Sequence, residues 1–144
     1  MSEHAENSNS SFEDKAMLLA RILMALLFLF PAYRKATNID ATTAYFDKLG
    51  LPFAGITVFL VIAFEFIAGL CFLMGWRFKL VAYLMAAFSV AAAFIAHRFW
   101  DVDPAMAGNQ LTHMLKNGAI AGGFIMAALL MDRRTENAEQ HPSE

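Results

Sequence analysis

A disulfide needs two cysteines, and this sequence has one, Cys71. It lies within an apolar run where a small hydrophobe serves as well, so neither an internal staple nor a redox role is expected of it. A basic stripe is also missing: the net charge is -2, and binding to nucleic acid is not expected. No glycine-rich phosphate loop follows a strand, and no serine, histidine and carboxylate set falls within one region. Hydrolase and nucleotide-driven chemistries therefore have no support. The leader from Met1 to Asp14 is acidic, with Glu3, Glu6, Glu13 and Asp14, and lacks the cationic start of a secretory signal. The first apolar block is expected to remain in the mature protein.

Apolar residues are what the chain has in excess. They make up 58% of it against 17% charged, where soluble proteins run at about 45–50% and 25%. The excess is gathered into four blocks with most charge between and outside them, the distribution a bilayer demands. Gly55 to Gly75 carries one charged residue, Glu65; Leu80 to Ala96 carries none; Ala16 to Tyr33 carries only Arg21. Gly118 to Met131 is too short alone and must extend back to Leu111, which brings His113, Lys116 and Asn117 to or below the membrane surface. A soluble bundle would show a polar stripe on every helix. Leu80 to Ala96 offers only Tyr83 and Ser89, so water does not surround these helices.

The expected fold is all-α: an integral membrane four-helix bundle, up-down-up-down, with spans at about 16–34, 55–75, 79–97 and 112–131. A disordered polar tail at 1–14 and a polar tail at 132–144 flank the domain at 15–131. Four crossings put both termini on one side. Lys15, Arg77, Lys79, Arg133 and Arg134 on that side, against Arg34, Lys35, Lys48 and Arg98 on the loop side, favour cytoplasmic termini. Small residues at four-residue spacing, Gly118 with Gly122, Ala119 with Gly123, Ala82 with Ala86 and Ala87 with Ala91, suggest that the last two spans pack closely. A contact with a second copy of the chain is the alternative use of those stripes.

Several segments, in order, resemble the DoxX family of small four-helix bacterial inner-membrane proteins. Arg21 lies early in the first span and Lys35 ends it; Tyr45-Phe-Asp-Lys-Leu-Gly-Leu-Pro52 is similar to the family's Gly-x-Pro loop ending. Glu65-Phe-Ile-Ala-Gly69 and Met74-Gly-Trp-Arg77 resemble its Glu-x-x-x-Gly segment and the exit that follows. His97-Arg-Phe-Trp-Asp101 and Lys116-Asn-Gly-Ala-Ile-Ala-Gly-Gly123 resemble the close of its inner-membrane branch. The likeness runs from about Ala16 to Met131. One departure is Ala32, where family members often carry glycine three residues before the lysine. The resemblance implies a bacterial inner-membrane location and an association with quinone-linked redox systems.

Glu65 is the leading candidate for a functional residue. A carboxylate halfway along a span costs on the order of 3 kcal/mol on insertion scales and must be paired, protonated or facing water. Helical side chains lean toward their own N-terminus, so Glu65 leans to the loop side and Arg21 away from it. Asn117 and Lys116 are accordingly the favoured partners, Arg21 a lesser one that suits snorkelling at the headgroups. At the loop-side edge Lys35, His97, Arg98, Asp101, His113 and Lys116 form a ring of groups able to donate to a carbonyl oxygen or pass a proton, as a quinone head requires. The same residues also suit any bilayer boundary. Haem or metal is not expected, because His97 and His113 match no zinc spacing and no Cys-x-x-Cys-His is present. The leading reading is a subunit or accessory of a quinone-linked membrane redox system, binding quinone and a redox partner protein. Its rivals are a non-enzymatic partner-binding or assembly protein, or a homo-oligomer, and a small carrier or proton path titrating Glu65. Unbroken helices and the lack of an inverted repeat speak against a secondary transporter.

Overall fold

The computed structural model describes the backbone over residues 2–140 and side-chain environments over 11–131. Five helices follow one another: α1 (Ser2–Ala36), α2 (Ile39–Lys48), α3 (Ala54–Met74), α4 (Phe78–Ala96) and α5 (Pro104–Gln140). Four stretches, Ser11–Ala36, Ala54–Met74, Phe78–Ala96 and Pro104–Met131, are long and apolar enough to cross a membrane. Their outward faces are apolar too: Leu60, Phe66, Ile67 and Met126 are all exposed. In water such a surface would be one continuous sticky patch, whereas hydrocarbon solvates it at no cost. The chain is a helical, multi-pass membrane protein.

Three boundaries differ from those expected. The last span starts at Pro104 instead of 112, because Asp103 caps it: its Oδ1 accepts the Ala105 N–H at 2.8 Å, with proline at the first helical position. The first loop contains α2, a short helix too polar to cross, which lays Phe46 against α3 and buries it with Ala54 and Val58. The expected tails carry helical backbone as far as Ser2 and Gln140, since extending a formed helix avoids the cost of nucleating one. The side chains of Arg133 and Arg134, counted in the charge balance, lie outside the described residues.

The helices associate as two pairs. α4 packs most extensively on α5 and α1 on α3, while α3 meets α4 along a narrower seam. The close packing of the last two spans is as expected, but α5 does not bury its glycine stripe. Its buried positions are Ala121, Phe124 and Ala128, and a Cβ on Gly118 or Gly122 would meet nothing within 4 Å. In the α1–α3 pair the close approach is at Gly69, where a Cβ would lie 2.9 Å from Leu29 Cδ2. At the chain-end side, α3 stops in a left-handed glycine, Gly75, with Trp76 N–H donating back to the Cys71 carbonyl at 2.9 Å. Phe72 stacks on Phe78 and meets Phe124 edge-on, filling that half of the interior.

Candidate functional site

Glu65 is buried, only 5% exposed, and its partner is Lys35. The Lys35 Nζ donates to both carboxylate oxygens, at 2.7 Å to Oε1 and 2.8 Å to Oε2. This corrects the expectation of Asn117, Lys116 or Arg21. The reason is the lean of helical side chains on antiparallel helices. Lys35, in the last turn of α1, points back into the bilayer, while Glu65 on α3 points up toward the loops, and the two converge. Glu65 and Gly69, one turn apart on the same face, thus act together: the glycine lets α1 approach, and the approach delivers the lysine.

The other candidates divide. Arg21 donates from Nε to the Phe72 carbonyl at 3.3 Å and from Nη2 to the Leu73 carbonyl, with its guanidinium 5.5 Å over the Phe78 ring. It caps the end of α3 on the chain-end side and takes no part in the site. Asn117 lines a cavity with Glu65 but spends its Nδ2 on the His113 carbonyl of its own helix, at 3.2 Å. Lys116 is exposed and lines neither cavity beside Glu65. Ser89, buried at the same level, donates to the Met85 carbonyl at 2.8 Å.

Two cavities flank the ion pair. One, of 390 Å³, has Leu51, Val61, Ala91 and Ile95 in its apolar wall; the other, of 250 Å³, reaches inward to Phe28, Ser89 and Asn117. Lys35, Glu65, Phe88, Ala92 and His97 belong to both, so the pair and His97 stand at their common boundary. His97 Nδ1 lies 3.0 Å from Gln110 Oε1, and the His97 ring stacks on His113 at 5.0 Å and 16°. Gln110 is not among the sequence candidates, because it lies in the turns of α5 that precede the expected span. No third metal-ligating side chain joins these two histidines among the described residues. Arg98 donates from Nη2 to the Leu49 carbonyl at 2.6 Å, strapping the end of α4 to the α2–α3 turn above the larger cavity, and sits 3.8 Å from Asp101. The expected ring thus resolves into an inner group, Lys35, His97 and His113, and an outer strap, Arg98 with Asp101.

The inner polar contacts close within their own helix pairs, Lys35 with Glu65 across α1 and α3 and His97 with Gln110 and His113 across α4 and α5, and the Arg98 strap crosses between the pairs. The two sets face one another over the seam. Over residues 16–98 the chain matches the sequence profile of DoxX. The chain belongs to the DoxX family. Two relatives from Escherichia coli (strain K12) extend the likeness over most of this DoxX-family protein. The inner membrane protein YqjF is 37% identical over 117 residues, covering 81% of this chain and 85% of the relative. The inner membrane protein YphA is 27% identical over 113 residues, covering 78% and 81%. No solved structure matches this DoxX-family chain. With four spans and these relatives, it is a multi-pass protein of the bacterial inner membrane.

Proposed function

We propose that this DoxX-family protein is a subunit or accessory of a quinone-linked redox system of the inner membrane, holding the quinone ring at the seam between its two helix pairs. One observation carries the reading: an apolar cavity of 390 Å³ ends on Lys35, Glu65 and His97. That volume falls within the usual range for small-molecule sites, which are mostly apolar with a few convergent polar groups. A quinone carbonyl needs a donor, which the Lys35 ammonium supplies, and a quinol hydroxyl needs an acceptor, which a histidine nitrogen or carboxylate supplies. The ring would rest against Phe88, itself stacked on Phe64 at 4.8 Å.

Cytoplasmic termini belong to the same proposal. With Lys35 drawn into the bundle, one cation fewer remains at the loop-side surface, which strengthens the charge bias toward the chain-end side. A carrier or proton path through Glu65 would need a way onward to the chain-end side, where Phe72 and Phe124 are fully buried among aromatic neighbours. This favours a site reached from one side.

The test is mass spectrometry of small molecules that copurify with the native protein. Quinone at a substantial fraction of one per chain, falling on Glu65→Gln or His97→Ala, is the expected result. Quinone at background level, or equal in wild type and both variants, would overturn the reading.

A further inference from the structure

Among the described residues, the walls of the two cavities carry one fixed cation and one fixed anion, Lys35 and Glu65, and these two face each other. The site therefore has a strong donor and strong acceptors but no net formal charge from them. An ammonium has three N–H groups. The carboxylate engages at most two of them, so at least one has no acceptor among the described residues. The Lys35 side chain keeps 23% of its surface accessible, against 6% for Glu65, which leaves the lysine as the member of the pair that an occupant can reach.

We propose that Glu65 acts as a charge filter: by cancelling Lys35 it makes the site select neutral amphiphiles with a hydrogen-bond-accepting head, such as alcohols, ketones and quinones, over fatty acids and other anionic amphiphiles. The inference rests on this cavity being the ligand site proposed above, and not on the ligand being a quinone. The physical ground is desolvation. A carboxylate entering from water gives up its hydration, and here the one cation lining the cavities among the described residues is already engaged, so nothing repays the loss. A neutral carbonyl or hydroxyl loses far less and still gains the remaining lysine N–H. Without Glu65 the balance reverses. A lone ammonium among apolar walls is a strong anion trap, and the apolar cavity would then suit a fatty acid's chain.

Apolar packing around the pair fits this role. Ala91, Ala92 and Ala96 on α4 leave the wall open to a chain, whereas the core below the pair is closed by phenylalanines. Ala92 borders both cavities and touches neither charge by any hydrogen bond, so its enlargement fills the site without altering the electrostatics.

The experiment uses the full-length protein in nanodiscs of neutral lipid and measures direct binding of labelled 1-decanol, decanoate and a decyl-substituted benzoquinone at about pH 8, where a carboxylic acid is ionised. Wild type should prefer decanol to decanoate by about tenfold or more. Glu65→Gln should invert this, with decanoate binding gaining about a hundredfold, a difference of about 2.8 kcal/mol. Ala92→Leu should lower decanol binding toward that of empty nanodiscs, separating the site from partition into lipid. Equal binding of decanol and decanoate by wild type would overturn the filter, as would a folded Glu65→Gln variant that gains no decanoate. Should that variant fail to fold, the wild-type ratio and Ala92→Leu decide alone. Binding of decanol without the benzoquinone would sink the quinone reading and leave the filter standing. Equal binding of benzoquinone and decanoate would do the reverse, and binding of no probe would sink both.

Discussion

Arg21 and Lys35 are two cations on one helix, about four turns apart, and both turn toward α3, yet they meet opposite surroundings. At the chain-end side Arg21 meets the backbone carbonyls that a helix end leaves free, and its guanidinium lies over the Phe78 ring. At the loop side Lys35 meets a side-chain carboxylate, and the neighbouring wall of α4 includes Ala91, Ala92 and Ala96, so space remains beside the pair. The difference teaches that a charge in a membrane helix is not by itself a site. Arg21 spends its bonds on the end of α3 and borders neither cavity beside Glu65, whereas Lys35 is satisfied in charge, borders both cavities and still has a hydrogen to give.

Breaking the comparison at the loop side should have the largest effect. Lys35→Met leaves a buried carboxylate without its partner and should cost about 3 kcal/mol in unfolding experiments in mixed micelles. Adding Glu65→Met should restore much of that stability while abolishing ligand binding, because no charge is then stranded. A Lys35→Met protein as stable as wild type would deny that this pair holds the loop-side half. Next comes Gly69→Val, which forces branched carbons into Leu29 and should cost about 2 kcal/mol. Pairing it with Leu29→Ala tests the cause, since the smaller residue should recover part of the loss. Arg21→Met should cost about 1–2 kcal/mol through two lost bonds to carbonyls, with ligand selectivity unchanged. A change in selectivity would erase the distinction between the two cations. Lys116→Ala should alter neither stability nor binding measurably, because that side chain faces outward.

The four spans were legible because hydropathy over some twenty residues is a property of composition alone. So was the demand that Glu65 be compensated. Its partner is none of the expected Asn117, Lys116 and Arg21, although the lean that tells against Arg21 also sends Lys35 down to meet Glu65. Position at a helix end marks Lys35 as a surface group, and only its long flexible stem carries the ammonium down to the carboxylate. The start of α5 was likewise open to reading, since Asp103 followed by Pro104 is a helix-opening pair. α2 was harder. Ten residues with Asp40, Asp47 and Lys48 give a weak signal, and Phe46 chooses its buried face only because α3 is there to receive it.

From its residues alone the chain was bound to enter a bilayer, to cross it four times and to bring a carboxylate to mid-depth, because each of these follows from the transfer free energy of a segment considered by itself. Which cation answers that carboxylate, which of the small-residue stripes is buried and where open space survives are relations between helices. They depend on how closely α1 and α3 approach at Gly69 and on which faces α4 and α5 turn to one another. Such distances are set when the helices pack, and no single segment carries them.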